Sequence, residues 1–384
     1  MKNLYTLICE SFDGKMRLTE EEKEKLLALD KLYLDYNIHY RKDYNRKIVK
    51  NLEQECEKFI TAYKAGAKYY PQFIGTECNL TDQVLKMGED LISEFYKLDC
   101  FLSKYYIEWL RIMNNRIRFF MRKVGPEWYI QNQKQTPTLE NYRKALDTIK
   151  KHPFEFVPDE DREINAEQAA KQIQAHIDKL GYKWKVELTG DIIPRMSVGM
   201  DQKMFIRKDA TFNEDDIEGL KVHEVEGHIG RRYYGLKTGL HLFHYGLIWN
   251  NDLDEGLAVW NSLNKVDKVK PNVYPNIAIK TIIAYQLDKM DFCELFDFCH
   301  KLVPEMPLDQ LFINFSRFKR EVLDCSILGG NGDDQSYFCG LQLVNKMSDK
   351  ERDDILKWNI GPGQLNDLPK IKKFFELNKF EPLI

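Results

Sequence analysis

The chain has 384 residues, of which 43% are hydrophobic and 30% are charged, and its formal net charge is −3. This length allows one large domain or two ordinary ones, and the composition is typical of a soluble globular protein. The nearly balanced charge argues against nucleic acid as a partner. No apolar run is long enough to form a membrane-spanning helix, so we expect no membrane partner either.

The cysteines and the first residues both indicate a cytoplasmic protein. Eight cysteines are scattered along the chain without a Cys-x-x-Cys pair, which predicts reduced thiols and neither a thiolate metal site nor a disulfide framework. The N-terminal segment MKNLYTLICESFDGK lacks the apolar core of a secretion signal. Basic residues at 116–123 are interleaved with Phe119 and Phe120, a pattern that favours the solvated face of a helix over a nucleic-acid site.

Long, charged helices are predicted for the first part of the chain. The segment LTEEEKEKLLALDKLYLDYN has Thr19 ahead of three glutamates and repeats leucine at helical spacing. We expect this helical region to end at Pro71 and one or two amphipathic helices to follow before Gly125-Pro126. The segment 150–168 combines two prolines with a charge run and predicts a connector. Residues 1–155 are therefore predicted to form a helical N-terminal region.

The periodicity changes after a helix that is predicted near residues 165–180. The segments YKWKVELTG, RMSVGM and KMFIRK alternate apolar and polar residues and are divided by turn residues, which predicts a sheet of about three strands. Asp215 and Asp216 are expected to cap the next helix, and the later segments again have helical spacing. We therefore predict an α+β protein that is mostly α, with a small mixed sheet just before the helix that carries His223.

The segment KVHEVEGHIG (221–230) contains two histidines with a glutamate after the first. The familiar zinc-hydrolase pattern His-Glu-x-x-His places its histidines four residues apart, whereas His223 and His228 are five apart. On a regular helix, residues five apart point roughly 140° away from each other. A π-turn, which Gly227 would ease, returns both rings to one face. Alternatively, the helix ends near Gly227 and His228 reaches back from a turn.

Two histidines leave a catalytic zinc site one protein ligand short, because such sites usually have three. Glu255, in the downstream segment NNDLDEGLAVW, would complete a His₂Glu site. Asp252 and Asp254 are alternatives for that position or for support of a ligand. Glu224 would then act as general base, taking a proton from the zinc-bound water and passing it to the leaving amine.

The segments HEVEGH and DEGLA resemble the His-Glu-x-x-x-His and (Gln/Glu)-Glu-Gly-Leu-Ala motifs of the tyrosine carboxypeptidase family. That family includes the microtubule-associated tyrosine carboxypeptidases and the bacterial flavohaemoglobin expression-modulating QEGLA-motif proteins. YYPQF (69–73), RFKRE (317–321) and DDQSYFCG (333–340) are similar to further motifs of the family. Five motifs occur in the family's order, so the resemblance covers about residues 50–345.

The resemblance implies Zn²⁺ on His223, His228 and Glu255, with Glu224 as general base, in a zincin-like metallopeptidase region over residues 156–384 that forms one compact unit with the N-terminal region. The implied activity is removal of a C-terminal residue from a peptide or protein. It also implies that KMFIRKDATF contains an edge strand that can pair with an extended peptide. A carboxypeptidase needs a cation for the terminal carboxylate of its substrate. The candidate substrate-binding cations are Lys208, Arg231, Arg317 and Arg320. Tyr337 is a further candidate substrate-binding residue, as an oxyanion donor.

Several positions depart from the family pattern. Asp333 and Glu321 stand where the family has Lys and Gly, Glu226 adds a negative charge beside the site, and Asp254 replaces a Gln or Glu. We therefore do not predict tubulin as the substrate. Two other functions stay open: a regulatory or non-catalytic protein that retains a zinc site, and an iron-binding helical bundle. The bundle is disfavoured because it needs paired Glu-x-x-His motifs.

Overall fold

The N-terminal part of the protein consists of helices, as the sequence predicts. The computed structural model describes residues 14–44, 49–76, 79–121, 123, 125–127, 136–155, 162–190 and 195–384. Within these ranges, the helices that precede the strands are α1 (Glu20–Tyr44), α2 (Leu52–Lys64), α3 (Asp82–Leu98), α4 (Ser103–Phe120) and α5 (Leu139–Lys151). The predicted connector includes residues 156–161, which lie outside the described residues, as does Arg122 of the basic cluster.

Capping and glycine geometry explain where α1 begins and where α2 ends. The Glu22 N–H donates to Thr19 Oγ1 (3.2 Å), and the Thr19 N–H donates to the Glu22 carboxylate (2.9 Å). This reciprocal pair satisfies N–H groups of the first turn, so the predicted start at Thr19 is confirmed. The expected end at Pro71 is wrong. The helix α2 stops at Lys64 because Gly66 adopts a left-handed conformation with φ 71°.

The predicted small sheet is present, and it is mixed. The strands are β1 (Ile164–Asn165), β2 (Lys185–Thr189), β3 (Met196–Val198), β4 (Lys203–Arg207) and β5 (Thr211–Phe212), with α6 (Ala166–Lys179) between β1 and β2. In the three-stranded sheet, β4 lies in the middle, parallel to β2 and antiparallel to β3, while β1 and β5 form a separate antiparallel pair. The segment KMFIRKDATF contains β4, which is hydrogen-bonded on both sides and is not an edge strand, and β5, which pairs with β1 alone.

The helix that follows the strands changes its pitch in the middle. The helix α7 (Glu214–Leu220) continues into a π-helix (Lys221–Ile229) and then into α8 (Gly230–Lys237) without a break. Asn213 caps α7: its side chain accepts a hydrogen bond from the Asp216 N–H (2.7 Å), and the Asp216 carboxylate accepts one from the Asn213 N–H (3.3 Å). The predicted caps were Asp215 and Asp216. They lie in the first turn instead, where their charge favours the helix N-terminus.

The C-terminal part is helical, as predicted. Its helices are α9 (His241–Tyr245), α10 (Asn251–Asn264), α11 (Val273–Gln286), α12 (Phe292–Leu302), α13 (Leu308–Lys319), α14 (Ser336–Val344), α15 (Asp349–Trp358) and α16 (Leu368–Asn378). The prediction of an α+β protein that is mostly α is thus confirmed, and a zincin-like fold stays a prediction. In the described part of the chain, no helix combines the length and the low polarity needed to cross a membrane. The described cysteines are free thiols (Cys56, Cys100, Cys293, Cys299, Cys325 and Cys339), whereas Cys9 and Cys78 lie outside the described residues.

Apolar residues from both sides of residue 155 share two cores. In the first, the ring of Tyr33 on α1 packs edge-on against Tyr245 on α9, with the ring centroids 6.0 Å apart. In the second, Phe59 on α2 contacts Phe296 on α12 with a centroid separation of 4.7 Å. The buried carboxylate of Asp30 adds a polar link, because it accepts a hydrogen bond from the His241 N–H (2.7 Å). The N-terminal helices therefore support the part of the chain that carries the histidines.

A third core holds the π-helix against the sheet. Val225 and Ile229 on the π-helix are fully buried and pack with Met204 and Ile206 of β4 and with Ile173 of α6. This apolar face fixes the rotation of the π-helix about its axis. The opposite side of the π-helix packs against α10, the helix that carries Glu255.

Candidate metal centre

The π-helix brings the two histidines together. The rings of His223 and His228 have their centroids 5.2 Å apart and are inclined by 78°. The predicted π-turn is confirmed, and the alternative of a helix end near Gly227 is wrong, because the chain continues into α8. Gly227 also permits a close contact with α10, since a Cβ atom there would lie 3.1 Å from the Cβ atom of Ala258.

Glu255 is the carboxylate that faces both rings. Its Oε2 atom lies 3.8 Å from His223 Nε2 and 3.6 Å from His228 Nε2. One donor atom from each of the three residues lies within 4.8 Å of the others. Glu255 Oε2 is buried and has no hydrogen-bond partner among the described residues. Three potential ligand atoms thus converge on one point, and one of them is a buried oxygen atom without a hydrogen-bond donor.

The neighbours of the two histidine rings contact the Nδ1 atoms, so the Nε2 atoms of both rings face Glu255. The Ser262 hydroxyl donates to Ala258 O (3.0 Å) and lies 3.1 Å from His223 Nδ1, so the hydroxyl oxygen accepts the Nδ1 proton. Burial lowers the pKa of His223, which favours the neutral ring with a lone pair on Nε2.

In His228, the Nδ1 atom lies 3.0 Å from the carboxylate oxygen Oδ2 of Asp254. Burial disfavours the charged ring, but Asp254 and Glu255 outweigh burial and raise the pKa of His228. A metal ion would therefore compete with a proton at His228 Nε2, as is common for imidazole ligands.

Arg231 supports Asp254 and does not face a substrate. Its side chain is fully buried, with Nε donating to Ile355 O (3.0 Å) and Nη2 donating to Ile360 O (2.8 Å). Its Nη1 atom lies 3.3 Å from Asp254 Oδ1. Burial alone would raise the pKa of Asp254, but His228 and Arg231 hold it well below its ordinary value. The sequence-based assignment of Arg231 to substrate binding does not fit this position, because the guanidinium is already engaged in the interior.

Two glycines set the distance between α10 and α14. A Cβ atom on Gly340 would lie 1.8 Å from Asp252 O, and one on Gly256 would lie 2.4 Å from the carbonyl carbon of Gly340. The two helix backbones therefore touch, which only glycine permits. This contact places Tyr337, one helical turn before Gly340, beside the carboxylate of Glu255, whose charge is the main cause of the raised pKa of the Tyr337 phenol.

Basic residues lie on the side of Glu255 that faces α11 and α13. Arg317 binds the carboxylate of Asp334 through two nitrogen atoms, with Nη2 at 3.0 Å from Oδ1. Arg320 is half-buried, and its buried Nε atom has no hydrogen-bond partner among the described residues. Lys208, in contrast, is exposed in the turn after β4. The structure thus brings two of the predicted cations, Arg317 and Arg320, to the neighbourhood of Tyr337.

Lys280 is a residue of this neighbourhood that sequence analysis missed. Its Nζ atom lies 4.3 Å from the centre of the Tyr337 ring. The charges of Asp334, Arg317, Glu255 and Arg320 all act on it. The signal in the sequence was a single charged side chain inside the apolar helix NIAIKTIIAYQL.

Two of the negative charges that depart from the family pattern, Glu226 and Asp333, lie beside basic residues. Glu226 accepts a hydrogen bond from Lys265 Nζ (2.8 Å) and lies 3.2 Å from His176 Nε2. Asp333 lies 3.4 Å from Arg116 Nη2. The extra carboxylate on the π-helix is therefore paired with α6 and with the end of α10, away from the two histidine rings.

Comparison with known proteins connects this arrangement to a family. A family model described as microtubule-associated tyrosine carboxypeptidase matches residues 122–382. A search of curated proteins finds no matching relative. The family match covers more than half of the chain and includes His223, His228 and Glu255. The chain therefore belongs to the microtubule-associated tyrosine carboxypeptidase family, as the motifs predict.

Proposed function

We propose that this protein is a zinc metallocarboxypeptidase that removes a C-terminal residue from a peptide or protein. Carboxypeptidase-type activity is what membership of the family implies. The observation that carries the proposal is the convergence of donor atoms from His223, His228 and Glu255 within 4.8 Å. Two imidazoles and one carboxylate are a common ligand set of catalytic zinc sites.

The surroundings of these donor atoms fit a zinc ion. The buried Glu255 Oε2 has no hydrogen-bond donor among the described residues, and a cation would compensate for its burial. His223 Nδ1 has the Ser262 hydroxyl as its hydrogen-bond acceptor, and His228 Nδ1 lies 3.0 Å from the carboxylate of Asp254. Partners of this kind hold the rings in the orientation that presents Nε2 to a metal.

Each residue of the site would have its own role in the proposed reaction. A zinc ion held by the three ligands would supply Lewis-acid chemistry, polarising a carbonyl group and acidifying water. Glu224, which follows His223 on the π-helix, would take the proton of the attacking water and deliver it to the leaving amine. The Tyr337 phenol, which like any tyrosine is protonated at neutral pH, would donate a hydrogen bond to the carbonyl oxygen as negative charge develops there.

An edge strand would hold the backbone of the substrate. The strand β3 packs against the π-helix and lies at the edge of the sheet, whereas β4 lies inside it. Arg232 Nη1 donates to Val198 O (2.9 Å) and to Gly199 O (3.1 Å), which fixes the end of β3. We expect an extended peptide to pair with β3 and to present its last peptide bond to the site.

A library of peptides that differ in their last residue tests the proposal. The zinc-loaded protein should shorten a subset of them by one C-terminal residue, which mass spectrometry detects as a defined mass loss. Removal of the metal with a chelator should stop the reaction, and added zinc should restore it. No shortening of any peptide would overturn the assignment as a carboxypeptidase.

Replacement of Asp254 tests how the His228 ring is held. Asp254→Asn removes the charge beside His228 Nδ1 and leaves Arg231 without its counter-ion, so we expect zinc to bind about 10- to 100-fold more weakly. Competition with a chromophoric chelator measures this change without any assay of activity. Asp252→Asn is the matched control, because Asp252 is on the same helix but its carboxylate accepts from Gln335 (2.8 Å). Equal zinc affinity of the two variants would contradict the support role of Asp254.

A further inference from the structure

Lys280 is a half-buried cation without a counter-ion of its own among the described residues. It is the single charged residue of α11, and the residues that flank it on the helix, Ile277, Ile279 and Ile283, are buried. Among the described residues, its ammonium group makes no hydrogen bond or ion pair, and its contact is with the ring of Tyr337, 4.3 Å from the centroid. An unpaired charge in such a position lowers the stability of the fold unless a ligand supplies the opposite charge.

The carboxylates near Lys280 are engaged elsewhere. Asp334 is bound by Arg317 through two nitrogen atoms. Glu255 faces the two histidine rings and would coordinate the zinc ion. Arg320 adds a further positive charge, and its buried Nε atom has no hydrogen-bond partner in the described ranges. Among the described residues, Lys280 Nζ and Arg320 Nε are thus left without a hydrogen-bonded carboxylate.

We propose that Lys280, assisted by Arg320, binds the free α-carboxylate of the last residue of the substrate. This inference rests on the proposed carboxypeptidase function. In a peptide, the carbon of the terminal carboxylate lies within about 4 Å of the carbonyl carbon that is attacked, because the two are separated only by N and Cα. A cation for that carboxylate must therefore lie beside the metal ligands. Lys280 meets this condition, since its Nζ atom lies 4.3 Å from the centre of the Tyr337 ring. Tyr337 is on α14, whose backbone touches α10 at Gly256, the residue next to Glu255.

The other candidate cations do not meet the same condition. Arg231 is fully buried and donates to main-chain carbonyls. Arg317 is committed to Asp334. Lys208 is exposed in the turn after β4. Lys280 would thus make the enzyme specific for the end of a chain, since an internal peptide bond offers it no carboxylate.

Paired peptides test this assignment. The sequences that the wild-type protein shortens are prepared as free acids and as C-terminal amides, and kcat/KM for removal of the last residue is measured for both. Wild type should prefer the acid. Lys280→Met should reduce that preference about 30-fold or more, which is the lower range for removal of one partner of a buried charge pair. Lys280→Arg, which retains the charge, should keep a preference for the acid.

The control is Lys289→Met, which removes another lysine that lies over a tyrosine ring, that of Tyr285, outside the site. It should leave the acid preference unchanged. Zinc content and melting temperature are measured for every variant, so a folding defect is recognised as such. An unchanged acid preference in Lys280→Met, or equal cleavage of acid and amide by wild type, overturns the assignment of Lys280 while the metallopeptidase function stands. If wild type shortens no peptide, the proposed function itself fails, and the role of Lys280 fails with it.

Discussion

Glu224→Gln should abolish peptide cleavage while zinc remains bound. The amide has nearly the shape of the carboxylate but cannot take a proton from water, so we expect kcat to fall by about 10²- to 10⁴-fold. The zinc content should stay at the wild-type value, because the donor atoms that converge within 4.8 Å belong to His223, His228 and Glu255. Steady-state kinetics on a cleaved peptide and elemental analysis of the same preparation measure the two quantities.

Glu226→Gln is the matched control for this experiment. Glu226 lies on the same π-helix two residues away, but its carboxylate is paired with Lys265 and His176. Its replacement should change kcat little. If Glu224→Gln cleaves as fast as wild type, Glu224 is not the general base. If the variant loses zinc as well as activity, Glu224 contributes to the metal site and the division of roles proposed above is wrong.

Gly340→Ala should destabilise the whole protein and weaken zinc binding. The new Cβ atom would lie 1.8 Å from Asp252 O, and because that oxygen belongs to the main chain, no side-chain rotation relieves the overlap. The helix α10 must then move away from α14, and it carries Asp254 and Glu255 with it. We expect the free energy of unfolding to fall by about 3 kcal/mol or more, at or beyond the upper end for overpacking a core.

Urea denaturation and chelator competition measure the two effects of Gly340→Ala. Gly219→Ala is the control, because a Cβ atom at Gly219 on α7 meets nothing within 4 Å. That substitution should raise the free energy of unfolding by about 0.5–1 kcal/mol, since alanine favours a helix over glycine. Wild-type stability and zinc affinity in Gly340→Ala would mean that α10 and α14 do not approach as closely as they do in this structure.

The sequence by itself was sufficient where neighbours along the chain decide the structure. Helical spacing and Thr19 ahead of three glutamates predicted where α1 begins, and alternation predicted the three strands of the sheet. The five-residue gap between His223 and His228 left a π-turn or a helix end near Gly227, because a regular helix cannot place both rings on one face, and the structure has the π-turn. These features depend on interactions between residues a few positions apart, so a short segment contains all the information that they require.

The tertiary structure decided which of several similar side chains takes each position. Asp252, Asp254 and Glu255 were all candidates for the third ligand. Their roles differ because α10 packs against the π-helix and α14 in one fixed rotation. Asp252 therefore faces Gln335, Asp254 faces His228, and Glu255 faces both histidine rings.

The tertiary structure likewise decided the order of the strands and which basic side chains are buried and paired. Local alternation is the same in a central strand as in an edge strand, so the sequence could not place β4 in the middle of the sheet. The sequence also cannot distinguish Arg231, which donates to main-chain carbonyls in the interior, from Lys280, which has no hydrogen-bond acceptor among the described residues. Burial and pairing of a charge depend on segments that are distant along the chain and meet only when the protein folds.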